Sequence, residues 1–223
     1  MRSRGVTFVP LEVTTDDASL IDGVYDYAVT DRYIYVLPVK EPRIVLFDRQ
    51  GRFIRTLVKE GQGPGEFRGI LPCIQVDERN DRLFLFSNNR VWEYTLEGEF
   101  IGQSTHEYSV IYMRHIGKDR FAAISFPFQP FNGGGFGLGL FSRKGDTIAI
   151  KNDFYSFLLP HEKSGFTTSI APAYSDAQNS VLFKTGSNDT VFCISADRIS
   201  AACVLDLKNS DAEVIRSLDV TDM

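Results

Sequence analysis

The sequence is poor in the residues that build metal and disulfide chemistry. Its 223 residues include three cysteines and three histidines. Cys73, Cys193 and Cys203 form no C-x-x-C pair, which argues against a zinc site. Cys193 and Cys203 fall on segments that read as paired strands; a disulfide there is conceivable, and buried free thiols are the plainer reading. His106, His115 and His161 are widely spaced and none belongs to an H-E-x-x-H pattern, so no metal ligands and no cofactor are assigned. There is no G-x-S-x-G nucleophile elbow. Asp77-Glu78-Arg79-Asn80-Asp81 is acidic but lacks the glycine and terminal glutamate of a calcium loop, and reads as a solvated turn. No basic block exists and the net charge is −5, so nucleic acid, whose phosphates need clustered Lys and Arg, is not an expected partner. No apolar run approaches the roughly 18 to 20 residues of a membrane span. Behind Met1-Arg2-Ser3-Arg4-Gly5 there is no apolar stretch either. The reading is therefore that this chain carries no signal peptide: a cytoplasmic protein, or a form whose targeting segment is missing.

What the chain does have is aromatic residues and a repeat. Phe (18) and Tyr (9) make up most of the aromatics, a bias that suits strands. Asp48-Arg49-Gln50-Gly51-Arg52-Phe53-Ile54 recurs as Thr95-Leu96-Glu97-Gly98-Glu99-Phe100-Ile101 and as Ser142-Arg143-Lys144-Gly145-Asp146-Thr147-Ile148. The glycines are 47 residues apart in both intervals. A period of about 40 to 50 built from strands points to β-propeller blades. Each glycine ends a four-residue turn, as a type I turn closed by a left-handed residue requires. Phe47, Tyr94 and Phe141 stand four residues before the glycines and read as a layer packed between adjacent blades. Asp31-Arg32, Asp81-Arg82 and Asp119-Arg120 each begin an apolar strand, with another strand before it, so each unit has four strands. In a fourth, degraded unit Asp197 replaces the turn glycine, tolerable because Asp visits the left-handed region. The expected fold is an all-β propeller, one domain over 1–223, with four-stranded antiparallel blades at about 24–58, 71–105, 110–150 and 167–206. A short capped helix is expected at 211–218, and Val6 to Val13 reads as one more strand.

The span Tyr33 to Ile101 resembles the NHL-like six-bladed β-propeller proteins common in gut bacteria. The resemblance rests on Ile44-Val45-Leu46-Phe47-Asp48, on Gly51-Arg52-Phe53-Ile54, and above all on Gly61-Gln62-Gly63-Pro64-Gly65-Glu66-Phe67. Pro10-Leu11-Glu12 and Tyr94 to Ile101 also look like the family. The resemblance implies six blades around a central channel and a periplasmic or cell-surface protein, often a lipoprotein, with no assigned activity. Four blades are visible here, and two more would need roughly 90 further residues, so a partial propeller is expected.

Blade geometry then selects candidate binding residues. Connections after the second and fourth strands of a blade emerge on one face. Gly63, Gly65 and Glu66 lie in a fourth-to-first connection whose glycines would let backbone amides approach an anion. The plainer reading is a tight crossover with Glu66 making a local hydrogen bond. Phe128, Phe131 and Asn132 lie in the third unit's second-to-third connection. From Asp119 to Gly145 is 26 residues, against 17 from Asp81 to Gly98, so this unit carries nine extra. Aromatics on a glycine-jointed loop suit a sugar, an apolar ligand or a partner protein. They also suit a plug against the neighbouring blade. The expected function is a non-catalytic binding or scaffold module presenting these loops to a small molecule, glycan or protein. The alternative is a propeller lyase or hydrolase using a metal in the channel.

Overall fold

The computed structural model describes residues 8–68, 73–87, 89–107, 110, 112–124, 137–151, 180–183 and 190–205. Every regular element among them is a β-strand. The first sheet is β1 (Val24–Val29), β2 (Tyr33–Pro38), β3 (Arg43–Asp48) and β4 (Phe53–Lys59). The second is β5 (Cys73–Asp77), β6 (Arg82–Ser87), β7 (Arg90–Tyr94) and β8 (Phe100–Thr105). The third is β9 (Tyr112–His115), β10 (Arg120–Ile124), β11 (Leu138–Ser142) and β12 (Thr147–Lys151). The fourth has three described strands, β13 (Ser180–Phe183), β14 (Thr190–Ser195) and β15 (Ile199–Val204). Within each sheet, strands adjacent in the chain are neighbours. The first three sheets fall at the expected blade positions. Residues 167–179 and the expected helix at 211–218 lie outside the described residues.

The chain divides into two compact units, Met1–Gln103 and Ser104–Met223. In the first, the central strands read as continuous apolar runs because both of their faces are buried. Alternation sends Tyr35, Leu37, Ile44 and Leu46 to one face of the first sheet, where they meet Leu83, Leu85, Trp92 and Tyr94 of the second. Val36, Val45 and Phe47 point the other way, onto Leu11 and Ile21. In the second unit, Ile124, Leu138 and Leu140 of the third sheet pack on Val181, Phe183, Phe192 and Ile194 of the fourth. Each of these layers buries apolar surface worth about 25 cal/mol per Å².

The repeated turn forms as its sequence predicts. Gly51, Gly98 and Gly145 donate N–H bonds to the carbonyls of Asp48, Thr95 and Ser142, each at 3.0 Å. Their φ angles are +85°, +87° and +101°. The same glycines meet an incoming backbone: a Cβ at Gly51 would collide with the Pro10 carbonyl, one at Gly145 with the Thr105 carbonyl, and one at Gly98 would stand 3.0 Å from the Leu57 carbonyl.

Three expectations are corrected. Among the described residues of Val6 to Val13, 8–13 form no strand. Pro10 lacks an N–H, and the segment's seat is a glycine turn rather than a strand edge. It is held by Glu12 N–H on the Gly51 carbonyl (2.8 Å) and by the Glu12 carboxylate accepting from Phe53 N–H (2.8 Å). Asp197 does not take the left-handed conformation. The fourth turn closes with Ser195 N–H on the Arg198 carbonyl (2.9 Å), whereas Asp48 N–H reaches Arg52, so this turn is one residue shorter and has no such position. Finally, the cysteines are free thiols, as the plainer reading has them, but not buried ones: Cys73 and Cys193 are half-buried and Cys203 is exposed. β14 and β15 do pair, with Cys193 opposite Ser200 and Cys203 opposite Val191.

Gly51→Ala should cost about 2 kcal/mol or more, since it meets both a positive φ and a carbonyl. Gly102→Ala, with no atom within 4 Å of the new Cβ, should be nearly neutral. Urea unfolding of both variants checks this; equal losses would refute the joint.

Candidate functional site

The loop after β4 is closed at its base. Glu60 N–H donates to the Pro42 carbonyl (2.9 Å) and Gly61 N–H to the Phe67 carbonyl (3.1 Å). Phe67 is buried in the layer between the first and second sheets, edge-on to Trp92 with ring centroids 6.4 Å apart. Above this anchor the chain folds on itself. Glu66 N–H donates to the Gly63 carbonyl (3.2 Å), and the Glu66 carboxylate accepts from Gly63 N–H (2.7 Å). Arg68 donates to the carbonyls of Gly61 and Gln62, both at 3.1 Å. Lys59 Nζ lies 3.7 Å from the second Glu66 oxygen. Glycine is needed at Gly65, where φ is +79° and a Cβ would stand 2.9 Å from that of Phe100.

These contacts decide the local electrostatics. The Gly63 amide, with Lys59 adding its charge, holds the Glu66 carboxyl below the ordinary carboxylate range. Of the loop's glycine amides, that of Gly61 is taken by the Phe67 carbonyl and that of Gly63 by the Glu66 carboxylate. Gly63, Gly65 and Glu66 come together as the sequence suggests, with Glu66 clamping the loop through the Gly63 amide. The other candidates, Phe128, Phe131 and Asn132, lie outside the described residues, between β10 and β11.

Of the histidines, His106 is buried edge-on to Phe121 and Phe141, with centroids 6.1 and 5.2 Å away. Burial pushes its pKa down to about 4. His115 packs against Phe121 at 5.4 Å, and His161 lies outside the described residues. Among the described residues no three His, Cys, Asp or Glu side chains gather in a way that would hold a metal ion.

Sequence reasoning missed Asp26. Its carboxylate accepts from Ile74 N–H (2.7 Å) and Tyr27 N–H (2.9 Å), tying β1 to β5. Burial raises its pKa. Burial, and then the charge of Asp26, push the Cys73 thiol up to about 11, so at neutral pH Cys73 is a thiol and a poor nucleophile. The available signal was one carboxylate within Val24-Tyr25-Asp26-Tyr27-Ala28-Val29, an otherwise apolar and aromatic strand.

Residues 4–221 match the sequence profile of DUF4934, a domain of unknown function. The chain belongs to the DUF4934 family. The DUF4934 chain has the fold of two crystallised Bacteroides proteins. One is a protein of Bacteroides fragilis predicted to be exported, 18% identical with a TM-score of 0.65. The other, from Bacteroides vulgatus, is a member of the DUF4221 family, 9% identical with a TM-score of 0.57. The alignments cover 88% of the DUF4934 chain in both cases, but 54% and 61% of the two proteins, so it spans little more than half their length. A search of curated proteins finds no match.

Two outcomes are expected of the DUF4934 chain. Because the fold holds Glu66 below its ordinary pKa, its contribution is present at neutral pH and lost as pH falls through the folded value. Glu66→Gln should therefore lower Tm at pH 7, with the difference from wild type shrinking below about pH 4. A gap that persists in acid would rule out the carboxylate clamp. For His106 the unfolded chain binds a proton at 6.5 and the fold resists it until about 4, so stability should fall as pH drops across that window. The loss amounts to about 3 kcal/mol. His106→Phe should flatten that part of the pH dependence in urea titrations, and an unchanged slope would count against it.

Proposed function

We propose that the four sheets are blades of a six-bladed propeller of the NHL-like kind, and that the protein is a non-catalytic binding or scaffold module. The observation that carries this reading is the meander itself. Antiparallel order brings the β2–β3 and β4–β5 connections to one end of the first sheet, where Glu60 N–H bonds the Pro42 carbonyl. Sheets that pack face to face in this way, with connections gathered at one end, suit a recognition face on a rigid frame. The similarity to a Bacteroides protein predicted to be exported supports a location in the periplasm or at the cell surface.

On this reading the Gly63–Glu66 clamp shapes the rim, and contact with a glycan, small molecule or protein falls to Phe128, Phe131 and Asn132. Their residue types fit it, since aromatic faces stack on sugars and apolar rings while an amide reads hydroxyls. The test is a thermal-shift screen of the full chain with glycans and peptides, because a ligand specific for the native state raises Tm. Phe128→Ala with Phe131→Ala should weaken the strongest hit by about tenfold or more. Unchanged affinity would remove this loop from the function, and stoichiometric zinc or calcium in the purified protein would favour a metal enzyme instead.

A further inference from the structure

Residues 8–13 are held on the first sheet as a bound peptide would be. They form no strand, and at Pro10 they pass over the Gly51 turn. Their anchors are few and local: Glu12 N–H on the Gly51 carbonyl, the Glu12 carboxylate on Phe53 N–H, and Leu11 against Val36, Val45 and Phe47. Fragments of the same kind fill the equivalent seats elsewhere. Leu57, in β4, lies over Gly98, and Thr105, the last residue of β8, over Gly145. Those two donors are strands within a sheet; at the first seat the donor, residues 8–13, belongs to no strand and is joined to β1 through a bend, its hinge.

That hinge is short and bent. Asp17 N–H bonds the Thr14 carbonyl (3.1 Å), Leu20 N–H bonds the Asp17 carbonyl (3.0 Å), and Thr14 N–H bonds Ser19 Oγ (2.7 Å). Asp17 sits at φ 58°, a left-handed conformation that a non-glycine residue adopts at a cost. Thr15, Asp16 and Asp17 are exposed, so straightening the hinge uncovers only the small Ser19 side chain, at the cost of its hydrogen bonds with Thr14. Phe8 and Val13 are 88% and 63% exposed, so the segment brings apolar groups that its present seat leaves in water.

We propose that the seat over Gly51 is an interaction surface for a second copy of this chain, whose residues 8–13 take it in reciprocal exchange. The fit needs no new complementarity, because the incoming segment is identical to the one it replaces. Exchange keeps every anchor of the closed form and releases the bent hinge, the condition under which swapping an element between copies is cheap. The exchanged dimer forms at high concentration and interconverts slowly, since each segment must leave its seat first.

Size-exclusion chromatography with light scattering on the full chain, from about 10 µM to about 1 mM, reads the dimer fraction directly. It should rise with concentration. Deleting Asp16, Asp17 and Ala18 prevents the hinge from reversing and should raise the dimer fraction about tenfold. A flexible Gly-Ser insertion of about five residues after Ala18 relaxes the closed form and should lower it by a similar factor. In both forms the seat is filled, so the Phe53 amide should stay protected from hydrogen exchange. A wild-type chain that remains monomeric to about 1 mM, or a dimer fraction indifferent to the insertion, overturns the proposal. The insertion decides even where the deletion variant fails to fold.

Discussion

A backbone carbonyl seated on a glycine Cα is the contact on which the repeat depends. At Gly51, Gly98 and Gly145 one residue meets two demands at once. The turn needs a positive φ to close four residues and start the next strand. The joint needs a missing side chain so that an incoming backbone can lie directly above. Ala would fail both demands, and Asn or Asp would meet only the first. This double requirement explains why the spacing is kept while the flanking strands drift: Arg43-Ile44-Val45-Leu46-Phe47 and Arg90-Val91-Trp92-Glu93-Tyr94 share an apolar pattern and few identities. The fourth turn is one residue shorter and carries no such glycine.

From this joint the rest of the first unit follows. Holding each turn against an incoming segment sets the distance between layers, and large side chains fill the space. Tyr35, Trp92 and Phe67 occupy the layer between the first and second sheets. Phe67 enters it from the connecting loop, so the loop is pinned to the core by its last residue. Above it, Glu66 and Arg68 tie the surface stretch together, bonding Gly63, Gly61 and Gln62. Ordinarily a glycine-rich loop would owe its amides to solvent or ligand; here one carboxylate answers the amide of Gly63, and the price is that Glu66 must stay ionised.

What was legible in the sequence was local. The turn at Asp48 to Gly51 is written in four consecutive residues, and the strands on either side in runs of five or six, so both could be read without tertiary information. Tyr94 was legible as a residue between sheets because an aromatic recurs at that register, and it lies between the first and second; Phe47, read the same way, packs on Leu11 and Ile21 instead, which no register reveals. The Glu66 hydrogen bond was legible because its partner is three residues away. What escaped is pairing across long separations. Asp26 reaches Ile74, 48 residues on, and Glu12 reaches Phe53, 41 residues on. Neither leaves a period or a motif. Val6 to Val13 reads as a strand in sequence, and only the glycine beneath Pro10 shows that residues 8–13 lie over a turn instead. Asp197 misled because the fourth turn is one residue shorter and holds no position equivalent to the glycine.

The same distinction bears on where recognition can reside. A hairpin connection needs only a few residues to reverse the chain. The second sheet reverses between Ser87 and Arg90, which pair directly, and the first between Pro38 and Arg43. The third pairs Ile124 with Leu138, although its strands would close with far less intervening chain. Longer loops add closure entropy slowly, so a surplus of this size is tolerated, but pairing does not require it. Nor do the contacts of the Gly61–Glu66 loop, in which Glu66 and Arg68 bond Gly63, Gly61 and Gln62. The Gly63 amide and the Glu66 carboxylate answer each other, so that pair has little left to offer a ligand. The nine extra residues of the third unit are aromatic and glycine-rich in sequence, and that composition, not the motif most like a family, is what the proposed reading builds on.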